Sequence, residues 1–233
     1  GAGSVSKNLE VDTLIAVAEK ILNKRKNFSL TGEREEQRAF YDILKIGTSA
    51  GGARAKAVIA FNEVTEEIRS GQYFAPEGFE HWLIKFDGVM DKQFGASNGY
   101  GRVEMAYYEM AKDAGIEMME SRLLEENDRA HFMTKRFDRT KKGDKIHVQT
   151  FCALRHFDFN NVLQYSYEQI FETMRMLRLS YPQAEQMYRR MAFNVMSRNC
   201  DDHTKNFAFM MEKDGEWKLA PAYDVCHAYR PGS

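Results

Sequence analysis

The run Asn199-Cys200-Asp201-Asp202-His203-Thr204-Lys205-Asn206, NCDDHTKN, crowds carboxylates, an imidazole, an ammonium and amides into one short hydrophilic stretch. It follows QAEQMYRRMAFNVMSR, whose apolar residues recur at helical spacing. By residue type alone the run is a solvated loop, a metal site or the working part of an enzyme. What surrounds it has to decide.

Composition narrows the field. The chain has 233 residues, 43% of them hydrophobic and 12% aromatic, enough to bury a sizeable core in one large domain or two lobes. Lys+Arg 33 against Asp+Glu 34 gives a formal net charge of −1, so no overall electrostatic footprint for nucleic acid exists. Cys152, Cys200 and Cys226 lie far apart and form no CxxC, which argues against a disulfide framework or a structural zinc and for a reducing, cytoplasmic setting. No apolar run approaches the roughly 20 residues of a membrane span. The opening GAGSVSKN has no signal-peptide character, so a soluble protein without a membrane partner is expected.

Outward from NCDDHTKN, the chain reads as two textures. LEVDTLIAVAEKILNKRK spaces Leu14, Ala18, Ile21 and Leu22 as one buried helical stripe. KAVIAFN (56–62) and HWLIKFDG (81–88) are β-branched and aromatic runs that read as strands. GRVEMAYYEMAKDAG reads as a helix stopped at Gly115. MESRLLEEN and AHFMTKRFD read as an antiparallel pair turned at Asn127-Asp128. After Asp138 a charged turn, RTKKGDK, gives way to a mostly helical region. SYEQIFETMRML and SYPQAEQMYRRMAFNVMSR are amphipathic, and Ser180 with Gln183 forms a capping-box pattern with Pro182 in the first turn. FAFMM and EWKLA flank KDG, an Asp-Gly hairpin that delivers the chain to APAYDV.

Three features carry chemistry. GTSAGGARAK (47–56) has the glycines of an anion-binding loop, but Ala53 stands where a Walker A lysine belongs and GxGxxG is not matched. A phosphate loop and a flexible turn are both open. Lys85 sits in an apolar strand, where a buried ammonium needs a phosphate or carboxylate partner, Glu104 being a candidate. Strict alternation equally puts Lys85 on a solvent face. Asp201 to Asn206 is the interval D-x-x-x-x-N by which a phosphoryl-transfer loop presents a base and a metal-binding amide, and the hairpin returns one more acid, Asp224. The chain order, Gly-rich loop, strand lysine, helix glutamate, crossing segment, D-x-x-x-x-N, hairpin and Asp, favours that reading over an isolated acidic loop.

SAGGARAK, VEMAYYEMA, KRFDR, CDDHTKN and LAPAYDV, in that order, resemble the HipA family of bacterial serine/threonine kinases, toxins of toxin–antitoxin pairs. The resemblance spans roughly residues 45 to 230. It implies an α+β, protein-kinase-like two-lobed fold: a β-rich lobe over residues 1–134, a hinge at 135–138, and a helical lobe over 139–233. It also implies ATP with Mg²⁺, phosphorylation of a protein hydroxyl, in the best known members that of an aminoacyl-tRNA synthetase, and growth arrest. A helix-turn-helix antitoxin is the implied partner, with DNA reached only through it.

Carried over by position, the resemblance makes Asp201 the catalytic base and Asn206 and Asp224 the Mg²⁺ ligands. Ser49, Ala50, Gly51 and Gly52 form the nucleotide loop, with Lys56 and Lys85 toward the ATP phosphates. Backbone groups of Lys135 and Phe137 read adenine, and Asp138 lies near the ribose. Lys205 contacts phosphate, His203 is mainly structural, and Asp202 faces solvent. Ser49 matches an autophosphorylated serine, where a phosphate would clash with those of ATP or pull the loop outward. The family pattern extends past both ends of the sequence, so a fragment, or a chain with segments left out, is expected.

Two other classes compete with the kinase. A metal-dependent phosphohydrolase or nuclease would use Asp201, Asp202, His203 and Asp224 as ligands but has less need of the loop and the strand lysine. A degenerate kinase fold would serve as a non-catalytic antitoxin-binding module, which the complete set of acidic positions disfavours.

Overall fold

The computed structural model describes residues 11, 13–16, 55–71, 75–91, 95–96, 99–140, 142–157, 165–199 and 204–226. Its contacts divide the chain into two compact units, Gly1–Arg102 with Ser121–Arg136, and Val103–Glu120 with Phe137–Ser233. Residues 103–120, which the sequence reading assigns to the first lobe, thus group with the second unit.

The first unit is built on β1 (Lys56–Phe61), β2 (Ile68–Ser70), β3 (Glu80–Lys85), β6 (Ser121–Glu126) and β7 (Arg129–Lys135), in the antiparallel order β2-β1-β3-β7-β6. A small ladder pairs β4 (Met90–Asp91) with β5 (Gly95–Ala96). The β6–β7 turn falls at Asn127 and Asp128, with φ of 45° and 63°, the left-handed pair that a tight hairpin requires and that Asn and Asp tolerate.

Alternation sorts the two faces of this sheet. Ala57, Ile59, Phe61, Trp82, Ile84 and Met133 form one buried cluster with Leu14 and Ile15, from the helical residues 13–16 of the first expected helix. The opposite face carries Lys56 and Lys85, which are direct partners across β1 and β3. Lys56 is buried and Lys85 half-buried, its Nζ 5.8 Å from the centre of the Phe132 ring. A plain solvent-facing lysine therefore does not describe either residue.

On the other face, the side of Met133, His131 is fully buried. Its Nδ1 accepts from the Asp87 N–H at 2.9 Å, so the ring proton sits on Nε2, 3.0 Å from Glu126 Oε1, which also binds Arg129 at 2.7 Å. Burial pushes the imidazole below its ordinary range, and the Glu126 bond opposes that shift only in part. The unfolded chain takes up this proton near pH 6.5 and the folded chain only at lower pH. Stability is thus complete above about pH 6.5 and falls as the pH drops toward the folded value, by at most about 1.4 kcal/mol per pH unit. In thermal unfolding between pH 7.5 and 5.5, His131→Gln is expected to flatten the acid-side fall; an unchanged slope would refute this assignment.

The second unit combines most of α1 (Tyr100–Asp113) with α2 (Phe151–Arg155), α3 (Tyr167–Met176), α4 (Tyr181–Met196) and the antiparallel sheet β10-β9-β8. Its strands are β8 (His147–Thr150), β9 (Ala208–Met211) and β10 (Trp217–Leu219). The β9–β10 hairpin turns at Asp214-Gly215 as expected, Gly215 having a φ of 85°. Phe151, Ile170, Met174, Met187, Phe207, Phe209 and Leu219 form its core, each large side chain contributing about 2 kcal/mol by leaving water.

HVQT, in the region expected to be mostly helical, is strand β8, paired with β9. One expectation needs correction. The capping box lies at Ser166, whose N–H donates to Gln169 Oε1 at 2.9 Å. At α4 the Ser180 side chain caps no backbone N–H. Gln183 Oε1 instead accepts from the Leu219 N–H at 2.6 Å, and its Nε2 donates to Ser180 Oγ at 3.3 Å, fastening the helix to the hairpin.

Candidate active site

The second unit builds its site from two short segments held by backbone. The stretch 204–207 is clamped by the start of α2: Phe151 N–H donates to the Phe207 carbonyl at 2.7 Å, and Cys152 N–H to that of Thr204 at 3.2 Å. Upstream, the end of α4 is fixed by Asn199, whose Nδ2 donates to Asn194 Oδ1, while Asn194 Nδ2 donates to Tyr167 Oη, each at 3.0 Å.

The segment around Asp224 has a different support. Ala222 N–H donates to the Glu117 carbonyl at 2.8 Å, within a parallel bridge between Met118 and Ala222. Gln186 of α4 holds that support in turn, accepting from Glu117 N–H at 3.0 Å and donating to the Gly115 carbonyl at 2.9 Å. Ala222 and Val225 are buried with Ala111 and Ile116, against Tyr107, Met118 and Phe193. An amphipathic helix, a glycine stop and a hairpin thus converge on one acidic residue, whose own φ is 53°.

The result is a cavity of about 10 Å³ within this unit, lined by Asn206 and Asp224 together with Arg190, Asn199 and Tyr223. That is on the order of one water molecule. Asn206 supplies an amide oxygen and Asp224 a carboxylate, hard donors of the kind Mg²⁺ takes alongside phosphate oxygens and water. The donor set therefore fits the metal. Among the described residues no group of three or more His, Cys, Asp or Glu side chains comes together as a softer metal site.

Two residues of this cavity escape a reading based on motifs. Arg190 is buried in α4, and its Nε and Nη2 have no hydrogen-bond acceptor among the described residues. Burial lowers its guanidinium to about 10, with Glu117 and Tyr223 opposing the shift. The signal was present in helical spacing, since Met187, Arg190 and Asn194 share the buried face of α4. Tyr223 donates from Oη to the Lys205 carbonyl at 2.5 Å, and its ring lies 5.4 Å from that of Phe137. Burial foremost, and the Asp224 charge next, push its phenol well above the usual tyrosine range, so the hydroxyl remains a donor.

The other expected residues are distributed as follows. Lys56 and Lys85 face each other in the first unit. Lys135 is also there, its Nζ between Glu63 at 2.8 Å and Glu80 at 2.6 Å. Phe137 and Asp138 belong to the second unit, where Asp138 binds Arg139 at 2.8 Å. Glu104 is buried on α1, and Lys205 precedes Asn206 with its side chain half-buried. Ser49, Ala50, Gly51, Gly52, Asp201, Asp202 and His203 lie outside the described residues.

Comparison with known proteins bears on this arrangement. The family model described as "HipA-like C-terminal domain" matches residues 48–233. The chain belongs to the HipA family. Among solved structures it is similar to HipA in the Shewanella oneidensis MR-1 toxin–antitoxin complex of HipA, HipB and operator DNA, with a TM-score of 0.64 and 14% identity, over 97% of this chain and 52% of that one. It is also similar to the Helicobacter pylori proinflammatory kinase CtkA, with a TM-score of 0.44 and 16% identity, over 63% of this chain and 52% of that one. No curated protein matches the chain. The chain spans about half the length of the HipA structure it matches, and the α+β fold expected from the sequence is the one it shares with that HipA. Among the described residues no helix is long and apolar enough to cross a membrane.

Proposed function

We propose that the chain is the catalytic part of an ATP- and Mg²⁺-dependent serine/threonine protein kinase of the HipA toxin type, acting in the cytoplasm. The observation that carries this reading is the convergence of Asn206 and Asp224 on one small cavity in a member of this family. The lobes of a protein-kinase-like fold are then joined in sequence through residues 135–138.

Asn206 and Asp224 would hold the metal, which would supply charge neutralisation at the phosphates. Asp201 orients a substrate hydroxyl and accepts its proton as the oxygen bonds to the γ-phosphorus and the bond to the β–γ bridging oxygen breaks, leaving ADP. Lys56 and Lys85 concentrate two ammonium groups on one sheet face, which suits a triphosphate. Ser49, Ala50, Gly51 and Gly52 add backbone donors, and Lys205 a further phosphate contact. Backbone groups of Lys135 and Phe137 receive adenine and Asp138 the ribose.

The family relation also suggests autophosphorylation on Ser49, an aminoacyl-tRNA synthetase as the phosphorylated protein, and a helix-turn-helix antitoxin through which DNA is reached. Phosphosite mass spectrometry of total cell protein after induction, wild type against Asp201→Ala, tests this. New phosphosites on a translation protein and on Ser49, both dependent on Asp201, are expected. Identical phosphoproteomes would refute the reading.

A further inference from the structure

Asn206 and Asp224 come from separate segments, and a shared metal requires that their backbones keep a fixed separation. The residue before each of them makes that link. Tyr223 Oη donates to the Lys205 carbonyl at 2.5 Å, directly joining the peptide unit that leads into Asn206 to the residue that leads into Asp224. Asp224 itself has a φ of 53°, a left-handed conformation that aspartate tolerates. The Tyr223 ring is fixed from a third direction by Phe137, 5.4 Å away with the planes tilted by 33°.

We infer that Tyr223 is a positioning residue that sets the separation of the two metal-binding side chains through its hydroxyl. The inference rests on the kinase reading of Asn206 and Asp224. Groups that orient metal ligands are typically worth 10–100-fold in metal affinity or activity. Tyr223→Phe removes only the hydroxyl and keeps the ring against Phe137.

The test titrates Mn²⁺ by electron paramagnetic resonance into wild type and Tyr223→Phe, each with a non-transferable ATP analogue, alongside thermal unfolding and nucleotide binding without metal. Mn²⁺ affinity is expected to fall about tenfold in Tyr223→Phe. Metal-free nucleotide binding should be unchanged and the thermal midpoint should move little. A purely structural role would lower the midpoint and leave Mn²⁺ affinity intact. Mn²⁺ affinity within twofold of wild type overturns the inference while the kinase reading stands. A wild type that itself binds neither Mn²⁺ nor nucleotide overturns both, and its own titration distinguishes that case.

Discussion

Asp224→Asn is expected to lower phosphoryl transfer by about 10³-fold, roughly 4 kcal/mol of lost transition-state stabilisation, with little change in thermal stability. The substitution preserves size and suits the site, because asparagine, like aspartate, tolerates the φ of 53° found there. What it removes is the negative charge beside Asn206, the only carboxylate among the described residues lining that cavity. A metal held by two neutral amides binds more weakly, so raising Mg²⁺ should recover part of the rate. Steady-state transfer measured over a range of Mg²⁺ checks this, and a loss of less than tenfold at limiting Mg²⁺ would remove Asp224 from the metal site.

The second large effect is on folding. A Cβ at Gly101 would lie 1.8 Å from the Ala130 carbonyl oxygen and 2.9 Å from its carbon, so the first turn of α1 touches the backbone of β7. Backbone in a paired strand cannot swing aside as a flexible side chain does. Gly101→Ala is expected to cost about 3 kcal/mol and lower the thermal midpoint by about 10 °C. Gly99 is the control. Its φ is 82°, but a Cβ there meets nothing within 4 Å, so Gly99→Asn should cost less than about 1 kcal/mol. Equal losses at the two positions would refute the close-approach explanation.

Much of this fold is legible in local sequence where a local rule governs. Alternation in KAVIAFN and HWLIKFDG separates Trp82 and Ile84 from Lys85, and the sheet keeps that separation. Asn127-Asp128, Gly115 and Gly215 mark turns and a helix end because each adopts positive φ. What was not legible depends on distant partners. HVQT becomes a strand because β9 pairs with it. The Gln183 amide leaves its expected cap because the Leu219 N–H, far along the chain, is within 2.6 Å.

The candidate site divides the same way. The residue types and order of D-x-x-x-x-N, hairpin and Asp could be read from sequence, and Asn206 and Asp224 do line one cavity. Tyr223 gave no signal of its own, since its role comes from a carbonyl on another segment. Arg190 was readable as a cation on the buried side of α4, but that its Nε and Nη2 would lack an acceptor among the described residues was not.

The central claim is that this constellation transfers phosphate to protein. It is tested most directly by incubating the purified chain with γ-labelled ATP and Mg²⁺, following label on protein and free phosphate together, for wild type and Asp201→Ala. The account predicts label on serine or threonine that requires Mg²⁺ and disappears in Asp201→Ala. Phosphate released to water without protein labelling, or labelling that survives Asp201→Ala, would contradict it.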